Sequence, residues 1–274
     1  MKEKIKAYLE LSRPLNCLIG GFAVIIGSLV EGATFSYLPS VIVASLAAFF
    51  ITAGGNAIND YFDWRIDLVA HPERPVPSGR LSLSETSIFT LMSFFIGLGL
   101  AFFVNWICFL IVLINVFVLI SYERVLKKRG FIGNLAISYL VGSLFLFGGA
   151  SVGIIYNTIF LALLAFLSNL GREMIKDVED LKGDQNERRT FPIIRGTERT
   201  LLFSSVFLLA AIIFSFYPWV QGIFGKEYFL IVLLADIAFL ISIFTSFKNV
   251  KKAKNIVKLG MIIALISFLV GGII

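Results

Sequence analysis

The feature that most restricts what this chain can become is the recurrence of apolar stretches about as long as a bilayer is thick. We read about nine of them, at roughly 15–30, 37–58, 86–104, 106–122, 132–155, 157–176, 200–217, 228–246 and 256–273. Each is close to the ~20 residues that a helix needs to cross the hydrocarbon layer. Tight connections at Asn105 and Asn157 leave eight or ten spans open. Composition points the same way: 58% of the 274 residues are hydrophobic, 15% are charged, and the mean hydropathy is +0.89, where a water-soluble domain would carry about a quarter charged residues. The expectation is an all-α, polytopic membrane protein, a single integral-membrane domain over 1–274. A division into two diverged halves, roughly 1–131 and 132–274, is a further reading.

Charge placement gives the orientation. The stretches 1–14, 59–85, 123–131, 172–199 and 247–258 hold all but Lys226 of the 24 Lys and Arg residues. Basic residues concentrate on cytoplasmic connections, so the N-terminus and the long polar loops are expected on the cytoplasmic side. The net charge of +6 then reflects topology and contact with membrane lipids rather than nucleic acid. The opening "MKEKIKAYLELSRP" reads as an amphipathic lead-in, not a signal peptide. Cys17 and Cys108 fall inside apolar segments without a pairing or metal-ligand pattern.

Against this apolar background, "NAINDYFDWRID" (56–67) stands out. Asp60, Asp63 and Asp67 are spaced i, i+3, i+7, and the same spacing returns in "DVEDLKGD" as Asp177, Asp180 and Asp184. On a helix that spacing stacks three carboxylates along one face over two turns. Both sets lie where a span ends, on the same side. Like charges at these separations destabilise a helix by a few tenths of a kcal/mol per pair, so something must offset them. A hard divalent cation does so, and Mg²⁺ typically bridges one or two carboxylates to phosphate oxygens. Asn59 and the six Asp residues are the candidate metal shell.

Basic residues gather on the same side. "HPERPVPSGR" holds Arg74 and Arg80 in a loop that Pro72, Pro75 and Pro77 keep from continuing as helix. Tyr122 and Lys127 close the fourth span, while Arg172, Lys176, Arg188 and Arg189 flank the second acidic set. Such a face suits an anionic, phosphate-bearing ligand, although ordinary positive-inside topology also produces basic loops.

These elements together resemble the UbiA superfamily of intramembrane prenyltransferases. "NDYFDWRID" is similar to its NDxxDxxxD signature, "DVEDLKGD" to its second DxxDxxxD motif, "YERVLK" to its YxxxxK element and "SRPLN" to the Arg-Pro-x-Asn of its first helix. The resemblance covers residues 12–192. It implies a bundle of about nine helices around a central cavity under a cytoplasmic cap, with Mg²⁺ held between the acidic motifs and the donor's isoprenyl tail in an apolar tunnel open toward lipid. It implies catalytic roles for Asp60, Asp63, Asp67, Asp177, Asp180, Asp184, Lys127 and Tyr122. Substrate contacts are implied for Asn16, Arg13, Asn59, Arg74, Arg80, Arg172, Lys176 and Arg189. Where the family carries a polar pair before the loop proline, this chain has Ala70 and His71.

The short interval from Asp67 to "RPVPSG" resembles the archaeal lipid-forming members and the chlorophyll synthases of the superfamily, and the run "GREMIKDVEDLKGDQNERRTFPI" looks most like the archaeal lipid-forming members. That implies an isoprenyl diphosphate donor, namely geranylgeranyl diphosphate, and an amphiphilic lipid phosphate acceptor, geranylgeranylglyceryl phosphate. A chlorin, quinone precursor or haem as acceptor is the alternative within the superfamily. A divalent-cation transporter is the rival outside it, opposed by the confinement of both acidic sets to one membrane face. Two features stay outside this frame. Asp236 lies in mid-span, where an ionisable residue is costly, and reads as a hydrogen-bonded packing residue. The run "KNVKKAKNIVK" (248–258) reads as a headgroup anchor. Gly20, Gly21, Gly148 and Gly149 suit close helix packing.

Overall fold

The computed structural model describes residues 2–181 and 190–273, and among these it is helical throughout. An amphipathic helix α1 (Lys2–Ser12) leads into α2 (Pro14–Val30), followed by α3 (Leu38–Ala70), α4 (Leu83–Val104), α5 (Trp106–Arg124), α6 (Phe131–Ser151) and α7 (Thr158–Glu179). A short α8 (Phe191–Arg195) precedes α9 (Thr197–Ser215), another short helix α10 (Tyr217–Val220), α11 (Lys226–Ser246) and α12 (Val250–Ile273). Among the described residues eight helices are long and apolar enough to cross a membrane. A ninth span arises if α1 and α2, bent by 47° at Arg13, are taken together. In hydrocarbon each backbone amide must be bonded inside its own segment, which is why the apolar runs emerge as helices.

Local chemistry sets the joints. Pro14 starts α2, where its missing N–H removes nothing from the helix ladder. Ser82 and Glu85 form a reciprocal capping box that starts α4 after the proline loop. Asn105 makes the sharp α4–α5 turn: its Oδ1 accepts the Cys108 amide at 2.9 Å while its Nδ2 donates to the Ala150 carbonyl at 2.7 Å.

The helices close into a ring. α2 packs on α3 and α6, α3 on α4, α6 on α7, and α7 on α9 and α12, while α12 returns to α11 and α2. The crossing of α2 and α6 is glycine-lined. A Cβ on Gly27 would fall on the Phe145 carbonyl and one on Gly148 on the Val24 carbonyl, so neither position has room for a side chain. Outside, Phe95, Phe103, Phe117 and Phe244 are 72%, 83%, 71% and 73% exposed, a surface suited to lipid and not to water.

One boundary differs most from the sequence reading. The second apolar segment does not end near residue 58; α3 continues to Ala70, so the first acidic set lies inside the helix. Of the second set, Asp177 lies on α7, Asp180 is its C-cap residue, and Asp184 lies outside the described residues. At the charged end, α1 and the proline loop pack over α3 through Ala7, Leu11, Ala57, Val76 and Leu81. The α2–α6 crossing gives a direct test. Gly148→Val is expected to destabilise the protein by about 1–3 kcal/mol through overpacking, read as a lower Tm in detergent. Gly99→Ala, where a Cβ meets open space, is the control.

Candidate active site

The first acidic set is built on the inner face of α3 and neutralised from three other elements. Asp60 is 1% exposed. It accepts a hydrogen bond from Arg13 Nη2, and Arg74 Nη1 stands 3.7 Å from it. Arg13 sits in the α1–α2 kink with a left-handed backbone (φ 50°, ψ 68°), a conformation that costs an L-residue energy and persists where surroundings enforce it. One turn past Asp63, the buried Asp67 accepts from Arg74 Nη1 at 2.7 Å. Asp63 accepts from Lys127 Nζ at 2.5 Å and from Asn59 Nδ2 at 3.1 Å.

A fourth carboxylate completes the cluster. Glu123, buried on the last turn of α5, accepts from Lys127 Nζ at 2.8 Å and from Asn59 Nδ2 at 3.0 Å. Lys127 is therefore held between Asp63 and Glu123. The sequence reading passed over Glu123, although its position four residues before Lys127 is a recognisable i,i+4 ion pair at the end of an apolar run. Tyr122 lies beside it, half-buried.

Of the second set, Asp177 and Asp180 are among the described residues. Asp177 accepts from Asn134 Nδ2, on the first turn of α6, at 2.7 Å; Asn134 is a further residue the motifs did not flag. Asp180 is exposed at the end of α7. Arg172 pairs with Glu173, and Lys176 Nζ stands 3.7 Å from the same carboxylate. Arg80 does not reach the acidic face. It bonds Glu10 at 2.6 Å and the Glu73 carbonyl at 2.6 Å, bracing the loop on α1, and the Glu10 hydrogen bond pushes its guanidinium further above its ordinary value. Asn16 is exposed on the first turn of α2. Arg188 and Arg189 lie outside the described residues. Lys254, in the basic run read as a headgroup anchor, pairs with Glu179 at 2.5 Å.

Among the described residues no group of three or more His, Cys, Asp or Glu side chains converges tightly enough to hold a metal. The donor chemistry nonetheless fits Mg²⁺. The α3 cluster offers only carboxylate and carboxamide oxygens, the donors hard cations take. Its four carboxylates (Asp60, Asp63, Asp67, Glu123) outnumber its three cations (Arg13, Arg74, Lys127), so full ionisation leaves it negative.

Beyond the charged end, a cavity of about 300 Å³ runs between α2, α6, α7, α9, α11 and α12. Its walls are mostly aliphatic and aromatic, with Arg172 and Lys258 at one end and Ser215 and Asp236 among the few other polar groups. Arg172 lies between one and two turns from Asp177 on α7, which brings the cavity close to the second acidic set.

A ring of helices long and apolar enough to span a membrane, a buried carboxylate–cation cluster on α3 and an apolar cavity among α2, α6, α7, α9, α11 and α12 together fit a membrane enzyme. The chain belongs to the UbiA prenyltransferase family, whose model matches residues 21–268. It is 40% identical to digeranylgeranylglyceryl phosphate synthase of Methanococcus maripaludis over 277 residues, covering 98% of this chain and 99% of that one. A solved structure of digeranylgeranylglyceryl phosphate synthase in membranes superimposes with a TM-score of 0.86 at 36% identity, covering 99% of both chains. A UbiA homologue from Archaeoglobus fulgidus, solved with GPP and Mg²⁺, shares the fold at a TM-score of 0.72 and 18% identity, covering 94% of this chain and 99% of that one.

The Lys127 bridge carries a stability test. Lys127 and its two partners have side chains only 10%, 18% and 5% exposed. Lys127→Met strands two buried carboxylates and is expected to cost about 3–5 kcal/mol. Adding Glu123→Gln should recover part of that loss, and unfolding of the two single variants and the double variant in detergent measures the coupling.

Proposed function

We propose that this protein is a Mg²⁺-dependent prenyltransferase that moves a geranylgeranyl group from geranylgeranyl diphosphate to the hydroxyl of geranylgeranylglyceryl phosphate, releasing diphosphate, in archaeal ether-lipid synthesis. The observation that carries this reading is the α3 face, where Asp60, Asp63 and Asp67 are neutralised by Arg13, Arg74 and Lys127 from three separate elements. Relatives of the same length and nearly the same fold bear that enzyme's name, and a more distant homologue was solved with a prenyl diphosphate and Mg²⁺. These resemblances support the reading.

Asn59, Asp60, Asp63 and Asp67 would hold the metal from one side, and Asp177, Asp180 and Asp184 from the other. When bound, Mg²⁺ supplies electrostatic stabilisation of the leaving diphosphate. Breaking the allylic C–O bond moves negative charge onto that group while a delocalised cation forms on the prenyl carbon. Lys127 and Arg74 would stand at the diphosphate, where fixed positive charge stabilises the transition state more than the ground state. Tyr122 would help to position it. Arg13 and Asn16 would lie near the acceptor, with Arg80, Arg172, Lys176 and Arg189 also contributing substrate contacts. The departing diphosphate would take the acceptor's hydroxyl proton, since attack on a cation needs only a weak base.

The apolar cavity suits the isoprenoid tail and excludes the water that would otherwise capture the cation. In this reading the domain is single, the N-terminus and the site face the cytoplasm, and α1 with the proline loop forms the cap.

Activity tests this directly. With purified protein, labelled geranylgeranyl diphosphate and a panel of acceptors analysed by mass, transfer to geranylgeranylglyceryl phosphate is expected, lost on chelation and restored by Mg²⁺. Asp63→Ala and Asp180→Ala should each lower kcat/KM by on the order of 10²-fold or more while the protein still inserts and folds. Full activity in either variant contradicts the assignment.

A further inference from the structure

The apolar cavity has two cations in its wall, and they come from different helices. Arg172 lies on α7 and Lys258 on α12. One ion pair sets the register of these helices: Lys254 Nζ meets Glu179 Oε2 at 2.5 Å. From that pair Arg172 is seven residues back along α7, and Lys258 is four residues on along α12. Since α7 ends and α12 begins at the charged end, these steps amount to ~10 Å and ~6 Å away from it at 1.5 Å per residue. The two cations therefore stand at neighbouring depths on facing helices. Lys258 is exposed and Arg172 half-buried, so together they form a mouth to the cavity.

This mouth is electropositive. Arg172 pairs with Glu173, and Lys176 Nζ stands 3.7 Å from the same carboxylate. Lys258 makes no ion pair or hydrogen bond among the described residues. Three cations here, Arg172, Lys176 and Lys258, thus have one carboxylate among their partners. The α3 cluster has the reverse balance, with four carboxylates to three cations. A lysine kept only for membrane topology gains nothing by facing a cavity. Lys251 and Lys252, at the start of the same helix, are exposed and form no part of this wall.

Helix α2 leads from the mouth to the carboxylate cluster. Asn16, Ile19 and Ala23 recur at i, i+3, i+7 along one face. Ile19 and Ala23 line the cavity, while Asn16 is exposed one turn after Arg13, the partner of Asp60. The two charged places suit different anions. The carboxylate-rich cluster needs a metal ion before it can hold a diphosphate. The mouth needs none: a phosphate monoester carries about −1.5 to −2 charges at neutral pH, and its oxygens accept directly from guanidinium and ammonium groups.

We propose that Arg172 and Lys258 seat the phosphate monoester of the acceptor, apart from the diphosphate of the donor. The acceptor's chain lies in the cavity, and its free hydroxyl is turned along Asn16 toward the α3 cluster. This rests on the prenyl-transfer reading given above, and it divides the two anions of that reaction between sites of opposite charge. Lys258 is then a specificity residue for phosphate-bearing acceptors.

The experiment is steady-state kinetics with geranylgeranyl diphosphate and, as acceptor, either geranylgeranylglyceryl phosphate or the alcohol that lacks its phosphate. Lys258→Met is expected to raise KM for the phosphorylated acceptor about tenfold or more, the effect of losing one hydrogen bond to a charged group. It should leave KM for geranylgeranyl diphosphate, and kcat/KM for the alcohol, within about twofold, because neither involves the seat. Lys258→Arg should restore most of the acceptor affinity. Lys251→Met removes the same charge from the exposed surface of α12 and should shift neither KM. If Lys258→Met fails to fold, Arg172→Lys keeps the charge but loses the planar fork, and the same split between acceptor and donor is expected. An unchanged acceptor KM overturns the proposal, as does a donor KM that rises equally. So does an equal effect of Lys251→Met, which would make these lysines contacts for lipid headgroups. Failure of the underlying reading shows differently, as wild-type protein that prenylates neither acceptor.

Discussion

The structure depends on charge compensation at one end of an apolar bundle. Three carboxylates on a single helix, two of them almost wholly buried, are tolerated only because cations reach them from elsewhere in the chain. Arg13 arrives through a kink that forces its backbone into the left-handed region, Arg74 on a loop stiffened by prolines, and Lys127 from the turn after α5. Each pairing ties a different element to α3, so the cluster is also the joint that locates α1, the proline loop and the end of α5. A buried ion pair contributes little net stability against an apolar replacement, yet removing one partner is costly. An arrangement kept under those terms fits the proposed reading, in which a metal ion joins these carboxylates to a diphosphate.

The rest of the bundle answers to a different solvent. Bulky aromatic side chains face outward, and glycines allow α2 and α6 to approach until backbone touches backbone, since between helices in lipid close contact replaces the hydrophobic drive that water would supply. The cavity between α2, α7, α11 and α12 runs from Arg172 and Lys258 into hydrocarbon. Together the charged cluster and the cavity are shaped for a molecule that is salt at one end and lipid at the other. This unites the acidic motifs and the greasy composition in one account: the carboxylates lie near a membrane surface because the proposed substrates have their reacting groups there. Asp236 is the exception within the hydrocarbon, a buried residue of the cavity wall hydrogen-bonded to Ser215.

Much of this was legible in the sequence. The apolar segments placed most helix ends to within a few residues, the end of α3 and the start of α12 excepted, because a bilayer demands uninterrupted apolar length and leaves few alternatives. Asn59, Asp60, Asp63, Asp67, Arg13, Arg74 and Lys127 were all singled out by motif and charge, and the structure brings them into one cluster. The misses share a cause. Glu123 and Asn134 looked like ordinary polar residues at span ends, since their significance lies in the partners that face them across helices. Arg80 is read from the sequence as a substrate contact, and its bracing of the loop on Glu10 is a role that only the packing shows. The α3 boundary was placed too early because charge was read as the end of the helix, when Arg13, Arg74 and Lys127 allow the helix to carry that charge for three further turns.

What the sequence by itself determined was the class of molecule: an all-helical membrane bundle with carboxylate motifs suited to a metal-bound diphosphate, because apolar length and i, i+3, i+7 spacing are local properties of the chain. What only the tertiary structure decided was the pairing. That Arg13 meets Asp60, that Lys127 reaches Asp63 and Asn59 reaches Glu123, and that Asp236 lines a cavity all depend on contacts between residues tens of positions apart. Such contacts are fixed by how the helices pack against one another, and no local pattern encodes them.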